Sequence, residues 1–195
     1  LLNEKATEKE RHYIRTVFAK LVKYQNRKRL ALKITGPARM EYLMSIFPDA
    51  QFVNVQRDPV ATVRSWLEIY WNQQVIDQLW WQGAYTKEEL KKAKELSSNK
   101  FLFVAFQYKK LMQTTQQEID KMHPDIYTAS YEDFVKDPKV FINDMMQFLH
   151  LQPSRLIDKF MNKLSIDNRN ERKAVTEKTE ISEATKKQIL EIINA

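Results

Sequence analysis

Two residues in the first half of the chain, Arg57 and Ser65, have the types and the spacing of an anion-binding pair. Arg57 precedes Asp58-Pro59, a typical helix start, because Asp is a favoured N-cap residue and Pro fits the first helical position. Ser65 lies seven residues beyond this cap, about two turns at ~3.6 residues per turn, and so returns to the same face. The two side chains can therefore converge beside free backbone N–H groups and the positive end of the helix dipole. The alternative is that Arg57 pairs with a surface carboxylate while Ser65 faces solvent.

The elements that must position this pair are indicated by the apolar pattern around it. Residues 30–34 form a short apolar run ended by Gly36-Pro37, which predicts a strand followed by a turn. A helix is predicted next from apolar residues at helical spacing, Met40, Leu43, Met44 and Phe47. Residues 52–56 predict a second strand that ends at Arg57. Open α/β sheets bind ligands outside the carboxyl ends of their strands, which is where Arg57 would lie.

The remaining pattern predicts mostly helices and one further strand. Thr86 and Glu89 form a capping box, and Asp137-Pro138 begins another helix. Further helices are predicted over residues 4–25, 101–122, 153–164 and from Ser182 to about residue 194, with a strand over 126–130. A dense aromatic group is interpreted as core, with the wall of an acceptor pocket as the alternative: Trp66, Tyr70, Trp71, Trp80 and Trp81.

At these motifs the sequence resembles the sulfotransferase family that uses 3′-phosphoadenosine 5′-phosphosulfate (PAPS). In that family a strand ending in Arg-Asp/Asn-Pro is followed, eight residues after the Arg, by a Ser, and both hold the 3′-phosphate. Arg57 and Ser65 match these positions. The phrases Leu-Lys-x-x-x-Pro, Phe-Pro-Asp-Ala and Tyr-Glu-Asp-Phe with a later Asp-Pro also match, so the resemblance covers roughly residues 30–150. It implies that Tyr131, which begins the third phrase, lies near the adenine.

The same resemblance implies further site residues. Lys33 matches a strand lysine near the transferred sulfuryl group, and we assign it to charge stabilisation, with an ordinary snorkelling lysine as the alternative. Arg172-Lys173 matches a C-terminal pair that covers the 3′-phosphate, although Ala174 replaces the expected Gly. A general base is missing from both expected positions, because Thr35 is a poor base and Arg39 keeps its proton.

The resemblance also implies a fold: an α/β, three-layer, P-loop NTPase-like parallel sheet flanked by helices. The family's first strand leads into a Gly-rich loop that cradles the 5′-phosphosulfate, and neither of the two glycines here, Gly36 and Gly83, lies in such a loop. Since the chain begins with Leu1, we expect a single domain over residues 1–195 that is incomplete at its N-terminus and lacks the first strand and the phosphosulfate loop. This chain alone is then expected to be inactive. The alternative is that the loop has truly been lost.

The composition excludes some kinds of site but does not choose among the possible functions. A net charge of +7 suits an anionic ligand, and equally suits nucleic acid or acidic lipid. The absence of cysteine excludes disulfides and thiolate metal sites and is compatible with a reducing compartment, so we expect a cytoplasmic location. The three histidines lack metal-ligand spacing, and no metal is expected.

The predicted function is transfer of a sulfuryl group from PAPS to a hydroxyl or amine of a small-molecule or glycan acceptor, leaving 3′-phosphoadenosine 5′-phosphate (PAP). One alternative is a domain that binds PAP or PAPS without catalysis. The other is a basic nucleic-acid-binding protein, ranked last because no recognised nucleic-acid module is present.

Overall fold

The computed structural model describes residues 4–69, 78–80, 82–171 and 180–195. The chain divides into two compact units, one comprising Leu1–Phe52 with Leu111–Asp125 and the other Val53–Lys110 with Ile126–Ala195. None of the helices in the described part of the chain has the length and apolar character needed to cross a membrane. The prediction of a single domain over 1–195 remains a prediction.

The described elements alternate helices with two strands. In chain order they are α1 (Glu8–Tyr24), α2 (Met40–Ile46), β1 (Gln51–Gln56), α3 (Pro59–Glu68), a 3₁₀ turn (Gln82–Ala84), α4 (Lys87–Leu96), α5 (Lys100–Met122), β2 (Asp125–Ser130), α6 (Tyr131–Lys136), α7 (Pro138–Phe148), α8 (Arg155–Met161) and α9 (Glu183–Asn194). The two strands form a parallel pair.

In the first unit, α1 begins with a capping box in which the Thr7 hydroxyl accepts from the Glu10 N–H while the Glu10 carboxylate accepts from the Thr7 N–H. Phe18 on α1 stacks on Phe47, with ring centroids 5.6 Å apart. Arg15 also donates from Nε to the carbonyl of Ile46 at 2.7 Å, which satisfies an orphan acceptor at the end of α2. These contacts fix α1 against α2.

The start of α2 is stabilised by a buried carboxylate. Its N-cap residue, Arg39, has a left-handed backbone (φ 53°) and gives no side-chain cap. Glu118 from α5 replaces that cap, because its Oε2 accepts from the Met40 N–H at 2.9 Å. Lys121, one turn further along α5, pairs with Glu41 at 2.6 Å. Glu118 is only 5% exposed, so this cap is made by a buried side chain.

The second unit packs its core around α3. Val63 and Leu67 on α3 contact Val104 and Ala105 of α5 and Ile189 of α9, and these five residues are all buried. Trp66 packs against this cluster, and its ring lies 5.2 Å from that of Trp80. Trp66 therefore packs on the core, as predicted, while Trp80 is half-buried beside it. Tyr70, Trp71 and Trp81 lie outside the described residues.

The predicted strand over residues 30–34 is wrong. This segment has no regular secondary structure, and Leu32 and Ile34 are 54% and 40% exposed. A strand requires a hydrogen-bonded neighbour, and within the described residues the sheet contains β1 and β2 alone. Lys33 is accordingly an exposed residue of a segment without regular secondary structure and not a lysine inside an apolar strand.

Most other elements match the predictions. The strands at 52–56 and 126–130 are confirmed as β1 and β2, and the helix predicted at 101–122 is α5. The capping box of Thr86 with Glu89 and the cap by Asp137 are confirmed as well. The chain is thus α/β, with a small parallel sheet, while the three-layer P-loop-like arrangement remains a prediction.

Candidate anion-binding site

The turn between β1 and α3 places Arg57 immediately beyond the carboxyl end of a strand. Asp58 caps α3, because its Oδ1 accepts from the Ala61 N–H at 2.6 Å, and Pro59 occupies the start of the helix, as predicted. The Thr62 hydroxyl donates to the Asp58 carbonyl at 2.8 Å. The backbone that carries Arg57 is therefore fixed by local contacts.

The guanidinium of Arg57 is held on one edge and over one face. Its Nε donates to Oδ1 of Asn170 at 2.7 Å, and its Cζ lies 5.0 Å from the centroid of the Tyr131 ring. The two terminal nitrogens have no hydrogen-bond partner among the described residues, and they are not buried. Arg57 thus presents two free donors in the planar geometry that matches a phosphate or sulfate group.

Glu132 lies at the start of α6, just after β2, and accepts hydrogen bonds from Asp58 and Asn170. Its Oε1 accepts from the Asp58 N–H at 3.0 Å and from the side-chain amide of Asn170. Burial is the largest influence on its pKa and would raise it. Hydrogen bonds from the Asp58 and Glu132 backbones and from Asn170, together with the charge of Arg57, outweigh burial, so the pKa is lowered from the ordinary value of 4.5. Glu132 is therefore ionised at neutral pH.

Carboxylate side chains accept hydrogen bonds from two backbone N–H groups at the start of α3. The Asp58 N–H is bonded to Glu132 and the Ala61 N–H to the side chain of Asp58. The expectation of free backbone donors is therefore wrong for these two groups. The side-chain donors that stay unbonded among the described residues at this turn are the terminal nitrogens of Arg57.

A loop over residues 167–171 closes one side of the site. The Tyr131 hydroxyl donates to the Asp167 carbonyl at 3.1 Å and accepts from the Arg169 N–H at 3.1 Å. Arg64 on α3 donates from Nη2 to the carbonyls of Arg169 and Asn170 at 3.2 and 3.1 Å. Six hydrogen bonds with Arg57, Arg64, Tyr131 and Glu132 thus hold the loop against α3 and α6.

Behind the site, Tyr108 on α5 donates from its hydroxyl to the Arg57 carbonyl at 3.4 Å. Burial raises the pKa of this phenol, and the charges of Asp58 and Glu132 raise it further. Tyr108 therefore stays protonated and acts as a donor to the backbone, so it is unsuited to abstract a proton from an acceptor.

Comparison with known proteins identifies the family. The model described as "Sulfotransferase family" matches residues 3–154, which is more than half of the chain. The chain belongs to the sulfotransferase family. No curated protein and no solved structure gave a match. The matched range contains the ends of both strands, with Arg57 and Tyr131, and stops before the loop that carries Asn170.

Of the site residues predicted from the sequence, the structure brings two into contact. Arg57 and Tyr131 come together, whereas Ser65 lies half-buried on α3 with no hydrogen-bond partner for its hydroxyl among the described residues. Lys33 belongs to the other compact unit and is exposed. Arg172 and Lys173 lie outside the described residues. The roles predicted for all of these remain predictions.

Sequence reasoning missed three members of this site: Glu132, Asn170 and Arg64. Glu132 could have been found, because it follows Tyr131 in the Tyr-Glu-Asp-Phe motif. Asn170 is separated from Arg57 by 113 positions, and no local pattern marks it. Arg64 is an ordinary helix residue whose partners are backbone carbonyls. Within the described residues, no group of three or more His, Cys, Asp or Glu side chains is placed to hold a metal ion.

Proposed function

We propose that this sulfotransferase binds PAPS and transfers its sulfuryl group to a hydroxyl or amine of a small-molecule or glycan acceptor. The observation that carries the proposal is how Arg57 is bonded beyond the end of β1: its guanidinium is anchored through Nε, and neither terminal nitrogen has a hydrogen-bond partner among the residues that the structure describes. Family membership supports transfer chemistry, and the anchored guanidinium supports an anionic donor.

The donor set fits the 3′-phosphate end of the nucleotide. Arg57 would bind two phosphate oxygens, and Ser65 has an uncommitted hydroxyl that would donate to a third. The ring of Tyr131 would border the adenine, but its hydroxyl is already engaged by the loop, so only its apolar surface is available to the base.

The charges of the side chains around Arg57 cancel, which supports a contribution to phosphate binding from the two cationic residues that follow the 167–171 loop. Arg57 and Arg64 are offset by the carboxylates of Asp58 and Glu132, so these four side chains carry no net charge for a dianionic phosphate. Arg172 and Lys173 follow the held loop directly in sequence, and two further cations there would make the site net positive.

Transfer breaks the bond between sulfur and the phosphate oxygen and forms a bond between sulfur and the acceptor oxygen or nitrogen, with PAP as the leaving group. The acceptor proton passes to a base, for which we assign no residue. Lys33 is proposed to neutralise the charge that develops on the leaving phosphate. We place the reaction in the cytoplasm, and we expect it to need no metal and no nucleic-acid partner.

The test is a calorimetric titration of this chain with PAP and with adenosine 5′-monophosphate, which lacks the 3′-phosphate. We expect PAP to bind at least about tenfold more tightly, since a bidentate charge-assisted contact contributes roughly 1.5–3 kcal/mol. Arg57→Ala should abolish the preference, whereas Arg155→Ala, at an exposed residue of α8, should retain it.

Three results would change the proposal in different ways. Equal affinity of the wild-type chain for the two nucleotides would overturn the 3′-phosphate site. A PAP preference without transfer of labelled sulfate to phenols, sugars or amines, measured on the full-length protein, would favour a non-catalytic nucleotide-binding domain. Affinity for unrelated DNA duplexes with a steep dependence on salt, together with no PAP preference, would favour nucleic-acid binding.

A further inference from the structure

Among the described residues, only the Nε edge of the Arg57 guanidinium is hydrogen-bonded, which indicates that this contact orients the side chain. Its Nε is bonded to Asn170 at 2.7 Å, while both terminal nitrogens have no hydrogen-bond partner among the described residues. A guanidinium has five N–H donors in a rigid plane, so fixing the Nε edge and one face fixes the direction of the other edge. Any residue that holds the Nε edge therefore controls where the free donors point.

Asn170 is the residue at that edge, and its amide links two charged groups. Its oxygen accepts from Arg57 while its nitrogen donates to Oε1 of Glu132. A primary amide can do both at once, and the carboxylate on one side orients the amide for the guanidinium on the other. A residue with only an acceptor or only a donor could not make this link.

Glu132 is in turn fixed to the backbone that carries Arg57. The same Oε1 accepts from the Asp58 N–H at 3.0 Å, next to Arg57 in the chain. Its carboxylate would repel a bound phosphate, so Glu132 is unsuited to contact the anion. Its contribution must then come through Asn170 and the turn.

We propose that Asn170 and Glu132 are positioning residues that hold the Arg57 guanidinium so that its two terminal nitrogens face the 3′-phosphate of the nucleotide. This inference rests on the proposed function. Asn170 lies outside the range matched by the family, so the positioning role is assigned by the contacts of this chain alone.

The competing explanation is that Asn170 and Glu132 only pin the 167–171 loop. The two explanations predict different effects of Asn170→Ala when Arg57 is absent. If Asn170 acts through Arg57, Asn170→Ala has no further effect once Arg57 has been replaced by Ala. If it acts through the loop, its effect persists in the Arg57→Ala background, and a double-mutant cycle separates the two.

The experiment measures the ratio of PAP to adenosine 5′-monophosphate affinity by calorimetry for six proteins: wild type, Asn170→Ala, Glu132→Ala, Glu132→Gln, Arg57→Ala and the Arg57→Ala/Asn170→Ala double variant. Matched controls are Asn162→Ala and Glu88→Ala, at exposed positions. Thermal unfolding of every variant establishes that it is folded.

We expect Asn170→Ala and Glu132→Ala to lower the ratio roughly fivefold or more, the effect of losing one charge-assisted hydrogen bond. Glu132→Gln should restore it, because an amide oxygen still accepts from Asp58 and Asn170 without repelling the phosphate. The double variant should equal Arg57→Ala. If Asn170→Ala does not fold, Glu132→Ala replaces it in the cycle and is measured in the wild-type and Arg57→Ala backgrounds.

Failure of the inference is distinguishable from failure of the function. A wild-type chain without PAP preference overturns the proposed function, and the inference with it. A wild-type chain with PAP preference that survives in Asn170→Ala and Glu132→Ala overturns only the positioning role. An Asn170→Ala effect that is undiminished in the Arg57→Ala background also overturns it and assigns Asn170 to the loop.

Discussion

The guanidinium of Arg57 lies over the ring of Tyr131, with 5.0 Å between its Cζ and the ring centroid. The two residues follow neighbouring parallel strands, β1 and β2, so the contact is made where the carboxyl ends of the strands meet. A cation above an aromatic face is stabilised by the ring quadrupole. Because Tyr131 also holds the 167–171 loop, its ring and its hydroxyl serve separate contacts.

Tyr131→Phe tests the hydroxyl separately from the ring. The change removes the bonds to Asp167 and Arg169 but keeps the face that contacts Arg57. We expect a loss of about 1 kcal/mol in unfolding free energy, since each net hydrogen bond contributes roughly 0.5–1.5 kcal/mol and this site is partly exposed. Urea denaturation measures the loss.

The matched control for this change is Tyr24→Phe, since Tyr24 is 91% exposed and its hydroxyl has no hydrogen-bond partner in the described part of the chain. Tyr131→Ala should weaken PAP binding more than Tyr131→Phe, because it also removes the ring. Equal PAP affinity in Tyr131→Ala and wild type would contradict the predicted place of Tyr131 beside the nucleotide.

Ile189 on α9 is the packing residue with which the core of the second unit is best tested. It is fully buried against Val63 and Leu67 of α3. Ile189→Ala should lower the unfolding free energy by about 3 kcal/mol, the usual cost of removing a buried Ile side chain and leaving a cavity. Leu156→Ala, at a residue 68% exposed, should change it by less than about 0.5 kcal/mol. Similar losses in the two variants would mean that α9 does not pack on α3.

Glu89 links stability to pH. It pairs with Lys110 at 2.8 Å, and the two side chains are 28% and 15% exposed. Burial is the largest influence and would raise the pKa of Glu89, but hydrogen bonds from Lys110 and the Thr86 backbone, with the charges of Lys110 and Lys109, lower it from the ordinary value of 4.5. The unfolded chain therefore binds more protons than the folded chain just below that value.

A lowered pKa contributes stability that is present above the unfolded value and is lost as pH falls through the folded value. Glu89→Gln should thus be less stable than wild type at pH 7, by roughly 1 kcal/mol, and the difference should shrink as pH falls below the ordinary value of 4.5. Thermal unfolding at a series of pH values measures this, with the exposed neighbour Glu88→Gln as control. A difference independent of pH would contradict the ion pair.

Local sequence determined the parts of the site whose causes are local. The N-cap at Asp58 and the helix start at Pro59 follow from the chemistry of adjacent residues, and both were predicted. The strand at 30–34 was not formed, because strand formation depends on a neighbour that apolar spacing does not specify. Asn170 was missed for the same kind of reason. Its role depends on two partners brought to it by the fold, Arg57 and Glu132.

Arg57→Lys tests whether the geometry of the guanidinium matters beyond its charge. Lysine keeps a positive charge but has one nitrogen, so it cannot bond Asn170 and present a separate pair of donors to the phosphate. We expect the PAP preference over adenosine 5′-monophosphate to fall by about tenfold, close to the loss in Arg57→Ala, since a point charge does not replace a bidentate contact. Arg155→Lys, an exposed exchange of the same kind, is the control and should leave the preference unchanged. If Arg57→Lys bound PAP as tightly as wild type, the site would require only a positive charge, and the anchoring of Nε by Asn170 would have no part in nucleotide binding.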